Sequence, residues 1–157
     1  MEKELESSTA DREISTTRIF DAPRELVWEA WTNPKHIVHW WGPNGFTNTI
    51  DSMEVKPGGV WKFIMHGPDG TDYPNQIDYT EVVKPSRLVY THGTGEADYP
   101  GEFKVTVIFT EKNGKTELYM KSVFKTAEAR NEVVEKYGAT EGLNQTLTKL
   151  ADYLSKM

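Results

Sequence analysis

Four histidines are the chain's main candidates for acid–base or metal chemistry. His36 and His39 stand three residues apart, a spacing that can turn two imidazoles toward one metal ion from a single helical turn. No carboxylate or third histidine follows closely, so both are expected as surface or packing residues, and no metal is expected. His66 precedes the turn Gly67-Pro68-Asp69-Gly70, and His92 stands beside Tyr90 at the start of the loop Gly93 to Gly101. An imidazole can act as a general base near neutral pH, although a hydrogen-bonded structural histidine is the simpler expectation at both places. Tyr79, Glu81, Tyr90 and His92 form the set from which an acid and a base would be drawn. Their strands mix polar and apolar residues on both faces, so the alternation does not fix which side chains point inward. The chain carries no GxSxG elbow, phosphate-binding loop, GxGxxG or HExxH. It also lacks cysteine, which excludes disulfides, thiolate zinc sites and cysteine nucleophiles. No catalytic set and no cofactor is assigned, and a non-enzyme is the favoured reading.

A second chemistry is suggested by aromatic and methionine side chains. Trp61, Phe63 and Met65 alternate along one strand, and Met120 and Phe124 along another, beside Phe103 and Val105. Such faces are expected to pack a sheet onto helices. They also suit the wall of an apolar cavity, because aromatic rings give rigid surface and methionine adapts its shape. Beside such a wall Tyr79, Glu81, Tyr90 and His92 could supply a few orienting polar groups.

The elements that must position these side chains follow from period and punctuation. Glu13 to Phe20 reads as a strand. Asp21-Ala22-Pro23 opens a helix, with Asp21 as its expected cap, and Leu26, Val27, Ala30 and Trp31 form its apolar stripe. Asn33-Pro34 starts a second, short helix expected to carry Ile37, Val38, Trp40 and Trp41 up to the stop at Gly42-Pro43. Strands are then expected over 47–55, 60–66, 76–83 and 87–92. A hairpin follows: Phe103, Val105, Val107 and Phe109 lead to Asn113-Gly114, the strongest short turn signal, and Leu118, Met120, Ser122 and Phe124 return. Ala127 to Leu154 is helical, with a break near Gly138 or Gly142 and a buried stripe of Leu143, Leu147, Leu150, Ala151 and Leu154. The fold class is α+β, an antiparallel sheet with helices on one side.

Bulk properties bound the function. At 157 residues the chain is expected to be one domain over 12–157, behind a polar tail over 1–11. Hydrophobic residues at 37% and charged residues at 27% fit a globular protein, and no apolar run is long enough to insert in a membrane. The start MEKELESSTADRE has no basic-then-apolar signal, so the cytoplasm is the expected location. A net charge of −6 without a basic cluster argues against nucleic-acid partners.

Several phrases, in order, resemble the SRPBCC superfamily. They are Arg18-Ile19-Phe20-Asp21-Ala22-Pro23, Val27-Trp28, Trp31-Thr32-Asn33-Pro34 and Trp40-Trp41-Gly42-Pro43. Gly58-Gly59, Gly67-Pro68-Asp69-Gly70, Arg87-Leu88-Val89-Tyr90-Thr91 and Glu141-Gly142-Leu143 continue the match. Within the superfamily the chain is similar to the branch related to the C-terminal domain of the activator of heat-shock protein 90 ATPase. The resemblance implies a helix-grip fold, shared with START domains and the birch-pollen allergen. In it a curved seven-stranded antiparallel sheet wraps a long C-terminal helix, and two short helices close one end. Trp28 and Trp31 would then anchor the core, while Trp40 and Trp41 would sit at the end of a cavity between sheet and helix. A small apolar or aromatic ligand is the implied partner, and the candidate ligand-binding residues are Trp41, Trp61, Phe63, Met65, Tyr79, Tyr90, His92, Met120, Phe124, Leu143 and Leu147. Alternatives are a chaperone partner whose ATPase is stimulated, in a stress response, or a polyketide cyclase-like or hydrolase-like enzyme. Monomer and homodimer both remain open.

Overall fold

The computed structural model describes residues 10–96, 99–136 and 138–157. The polar tail expected over 1–11 therefore falls outside the described residues up to position 9, as do two residues of the loop after His92. Seven strands form one antiparallel sheet: β1 (Glu13–Phe20), β2 (Thr47–Met53), β3 (Val60–His66), β4 (Asp72–Val83), β5 (Arg87–Gly93), β6 (Phe103–Lys112) and β7 (Lys115–Phe124). Their spatial order is β1-β7-β6-β5-β4-β3-β2. From β2 to β7 each strand pairs with its chain neighbour, and β1 returns to pair with β7. Helices α1 (Arg24–Thr32) and α2 (Pro34–Ile37) lie between β1 and β2; α3 (Ala127–Glu135) and α4 (Ala139–Leu154) follow β7. This is the α+β helix-grip arrangement. No helix among the described residues is long and apolar enough to cross a membrane.

Strand pairing aligns the inward faces. Val105 lies between Tyr90 and Ser122, and Phe103 between His92 and Phe124. Along β7 the alternation is regular, with Thr116, Leu118, Met120, Ser122 and Phe124 all buried. Two bulges interrupt the inward alternation, one of them in the strand whose parity the sequence left open. In β4 the register shifts between Tyr79 and Glu81, so Ile77 and Tyr79 face inward before the bulge and Val82, opposite Leu88, after it. A similar shift between Ile50 and Ser52 lets β2 turn Ile50 and then Met53 toward the core. One unpaired residue reverses the period-two pattern, and strand sequence alone does not locate it. The turn before β3 docks on the first bulge: Gly58 N donates to Tyr79 O at 2.8 Å, and Tyr79 N donates to Gly59 O at 3.0 Å. A Cβ on Gly59 would stand 2.1 Å from Glu54 O, so no other residue fits there.

The helices differ from expectation at their ends. Pro23, not Asp21, is the cap of α1; its extended ψ of 152° leaves its carbonyl to accept from Leu26 N and Val27 N, and no side chain caps the helix. Asn33 does cap α2 through Lys35 N, but α2 stops at Ile37. Trp40 and Trp41 lie in the turn beyond, where both backbone amides donate to Ile37 O. The break expected near Gly138 separates α3 from α4: Gly138, at φ 62°, caps α4, while Gly142 is accommodated inside the helix.

Candidate functional site

The inward face of the sheet and the first half of α4 do not meet everywhere. They leave between them a cavity of about 250 Å3. Tyr90 and His92 from β5, Phe103 and Val105 from β6, and Met120, Ser122 and Phe124 from β7 form its sheet wall. Gly138, Ala139, Gly142, Leu143, Thr146 and Leu147 form its helix wall, and Ile14 of β1, Trp31, Trp41, Gly42, Pro43 and Met65 complete it. Small side chains on α4 are the local cause. Ala139 and Gly142 leave the space beside them unfilled, whereas Leu150 and Leu154 further along fill the space and are buried.

Eight of the sequence candidates line the cavity: Trp41, Met65, Tyr90, His92, Met120, Phe124, Leu143 and Leu147. Trp61, Phe63 and Tyr79 do not; they are buried behind it. The Trp61 and Phe63 rings stack at 4.1 Å, and Trp41 meets Trp61 edge-on at 5.1 Å. Trp31 is a buried core anchor as expected, edge-on to Phe109, and one side of it also reaches the cavity. Trp40 departs from expectation: it does not line the cavity and is fully buried, with its Nε1–H donating to Ala30 O at 3.1 Å. Missed residues include Gly42, Pro43, Ser122, Gly142 and Thr146, which carry no aromatic or acid–base signal; only the inward parity of β7 and the stripe of α4 mark the last three.

The cavity wall is uncharged. No Asp, Glu, Lys or Arg lines it among the described residues. Burial, reinforced by Tyr79, pushes the Tyr90 phenol well above its ordinary pKa, so it stays neutral. Its hydroxyl and the indole N–H of Trp31 are buried without a hydrogen-bond partner. Burial also pushes His92 down from 6.5 to about 4, which keeps the imidazole neutral at physiological pH. Its Nε2 lies 2.8 Å from Asn75 Oδ1, and the ring packs at 4.9 Å on Phe103. Glu81 belongs elsewhere, paired with Arg87 at 3.1 Å on the exposed side. The acid–base set considered from sequence is thus reduced at the cavity to Tyr90 and His92, both uncharged.

The other histidines serve packing and surface contacts. His36 Nδ1 lies 2.7 Å from the Tyr153 hydroxyl, and His39 stacks on the same ring at 5.7 Å, which ties α2 to the end of α4. His66 bridges Asp72 and Thr49, each at 2.7 Å, at the exposed end of β3. Among the described residues no three His, Cys, Asp or Glu side chains gather as a metal site.

A sheet wrapped on a C-terminal helix, with two short helices after the first strand, defines the helix-grip class of the SRPBCC superfamily. The sequence profile described as activator of Hsp90 ATPase homolog 1-like protein matches residues 21–155, and the chain belongs to that family. Solved structures agree. A protein from Arthrobacter aurescens is similar at 25% identity and TM-score 0.87, over 95% of this chain and 89% of that one. One from Mycobacterium smegmatis is 25% identical with TM-score 0.84, over 94% of each chain. One from Rhodobacter sphaeroides is 27% identical with TM-score 0.82, over 94% of this chain and 95% of that one. No curated protein matches the sequence.

Proposed function

We propose that this protein binds a small, neutral, apolar molecule between the sheet and α4. The observation that carries this reading is the uncharged cavity of about 250 Å3, walled by aromatic, aliphatic and methionine side chains. Ligand pockets commonly span ~300–1,000 Å3, so the size favours one or two rings or a short chain over a sterol or a two-chain lipid. An ionic ligand would lose its hydration without a charged partner in the wall, at a cost of several kcal/mol. Trp31 and Trp41 at the wall supply the readout. Titration with 2-methoxynaphthalene is expected to change tryptophan emission saturably and to raise the melting temperature, since a ligand at ~100 times its Kd adds about 2.7 kcal/mol. Absence of both responses would remove the reading.

A further inference from the structure

The polar arrangement around His92 narrows the ligand further. Asn75 lies on β4 and donates through Nδ2 to Tyr73 O at 2.8 Å. A backbone carbonyl only accepts, so this contact fixes which end of the amide is nitrogen. Asn75 Oδ1 is thereby the atom 2.8 Å from His92 Nε2, and Nε2 must carry the proton that it donates. A neutral imidazole holds one N–H, which leaves Nδ1 as a bare acceptor. Among the described residues nothing hydrogen-bonds to Nδ1. Its ring lines the cavity, between Phe103 at 4.9 Å, Phe63 at 6.0 Å and Trp41 at 6.3 Å.

We propose that His92 Nδ1 is the polar anchor of the cavity, accepting a hydrogen bond from the hydroxyl of an otherwise apolar ring: a phenol-type ligand. Asn75 is the positioning residue that holds the tautomer. The inference rests on the reading of the cavity as a ligand site and adds the hydroxyl to it. An apolar wall heightens the discrimination, because a bare acceptor covered by a ligand that lacks a donor loses its contact with water and gains nothing.

The test compares 2-naphthol with 2-methoxynaphthalene, which share the ring system and differ in the donor. The full chain is expected to bind 2-naphthol about threefold to tenfold more tightly, the range of one neutral hydrogen bond. His92→Phe keeps a ring, removes the acceptor and is expected to equalise the two probes. Nitrogen NMR of histidine-labelled wild-type protein gives a readout independent of how well that variant folds. The Nδ1 resonance of His92 should move on addition of 2-naphthol and far less with 2-methoxynaphthalene. Equal affinities in the wild type, an unmoved Nδ1 signal, or a preference that survives His92→Phe would overturn the anchor while the cavity site stands. Binding of neither probe would overturn both.

Discussion

Trp40 and Trp41 are neighbours in the chain and belong to opposite regions of the interior. Trp40 joins the solid end. There Trp31 meets it at 5.1 Å, Trp28 and Trp31 meet Phe109 edge-on, and the indole N–H of Trp40 is bonded to Ala30 O. Trp41 faces the hollow end, where its ring borders the cavity with His92, Phe103 and Phe124. Both regions are aromatic, so aromatic content does not decide which of them is filled. The facing helix decides it. Around Leu150 and Leu154 α4 presents bulk, and around Ala139 and Gly142 it presents almost none.

Substitutions that exchange these roles should separate the regions. The largest effect is expected from Trp40→Ala, which empties a closely packed site and strands the Ala30 carbonyl. A loss of about 3–5 kcal/mol in denaturant unfolding is the expected size. Trp41→Ala should cost less stability and change probe binding more; equal losses with unchanged binding would mean that both ends are core.

Next in size is filling the hollow end from the helix side. Ala139→Leu adds bulk to the helix wall. It is expected to weaken 2-methoxynaphthalene binding about tenfold or more, equivalent to ~1.4 kcal/mol, with little change in melting temperature. Unaltered affinity would place the probe elsewhere.

A smaller effect concerns the segment that joins the regions. Lys149 Nζ donates to Gly42 O at 3.1 Å and to Pro43 O at 3.3 Å, while Gln145 Oε1 accepts from Asn44 N. Partial burial lowers the Lys149 pKa. Lys149→Met should therefore cost about 1 kcal/mol of stability and speed probe release, measured by stopped-flow fluorescence. An unchanged release rate would show that the tether does not control the Trp41–Pro43 wall.

A separate expected effect is a pH dependence. His92 titrates at about 4 in the fold against 6.5 as its ordinary value, so the unfolded chain takes up the proton first on acidification. Stability contributed by the neutral ring is present above pH 6.5 and is lost as pH falls toward 4. Unfolding curves across that window should show a slope that His92→Phe reduces; an identical slope in the variant would assign it to other groups.

Much of the fold was legible in the sequence because its signals are local. Alternation over Phe103 to Phe124 around Asn113-Gly114 needs only neighbouring residues, and β6 and β7 form there. The run from Arg18 to Pro43 carried the family through order and spacing. Legibility stopped at the two bulges, where one residue shifts register, and at the tryptophan turn, where a helical spacing continued past the end of α2.

The sequence by itself determined the α+β class, the alternation that turns Leu118, Met120, Ser122 and Phe124 to one face of β7, and the buried stripe of α4. Only the tertiary structure decided that Trp61, Phe63 and Tyr79 lie behind the cavity, that Trp40 joins the solid core while Trp31 also reaches the cavity, and that Asn75 meets His92. The physical reason is range. Period and capping act over a few residues, whereas a cavity and a tautomer depend on partners brought together from separate strands and helices.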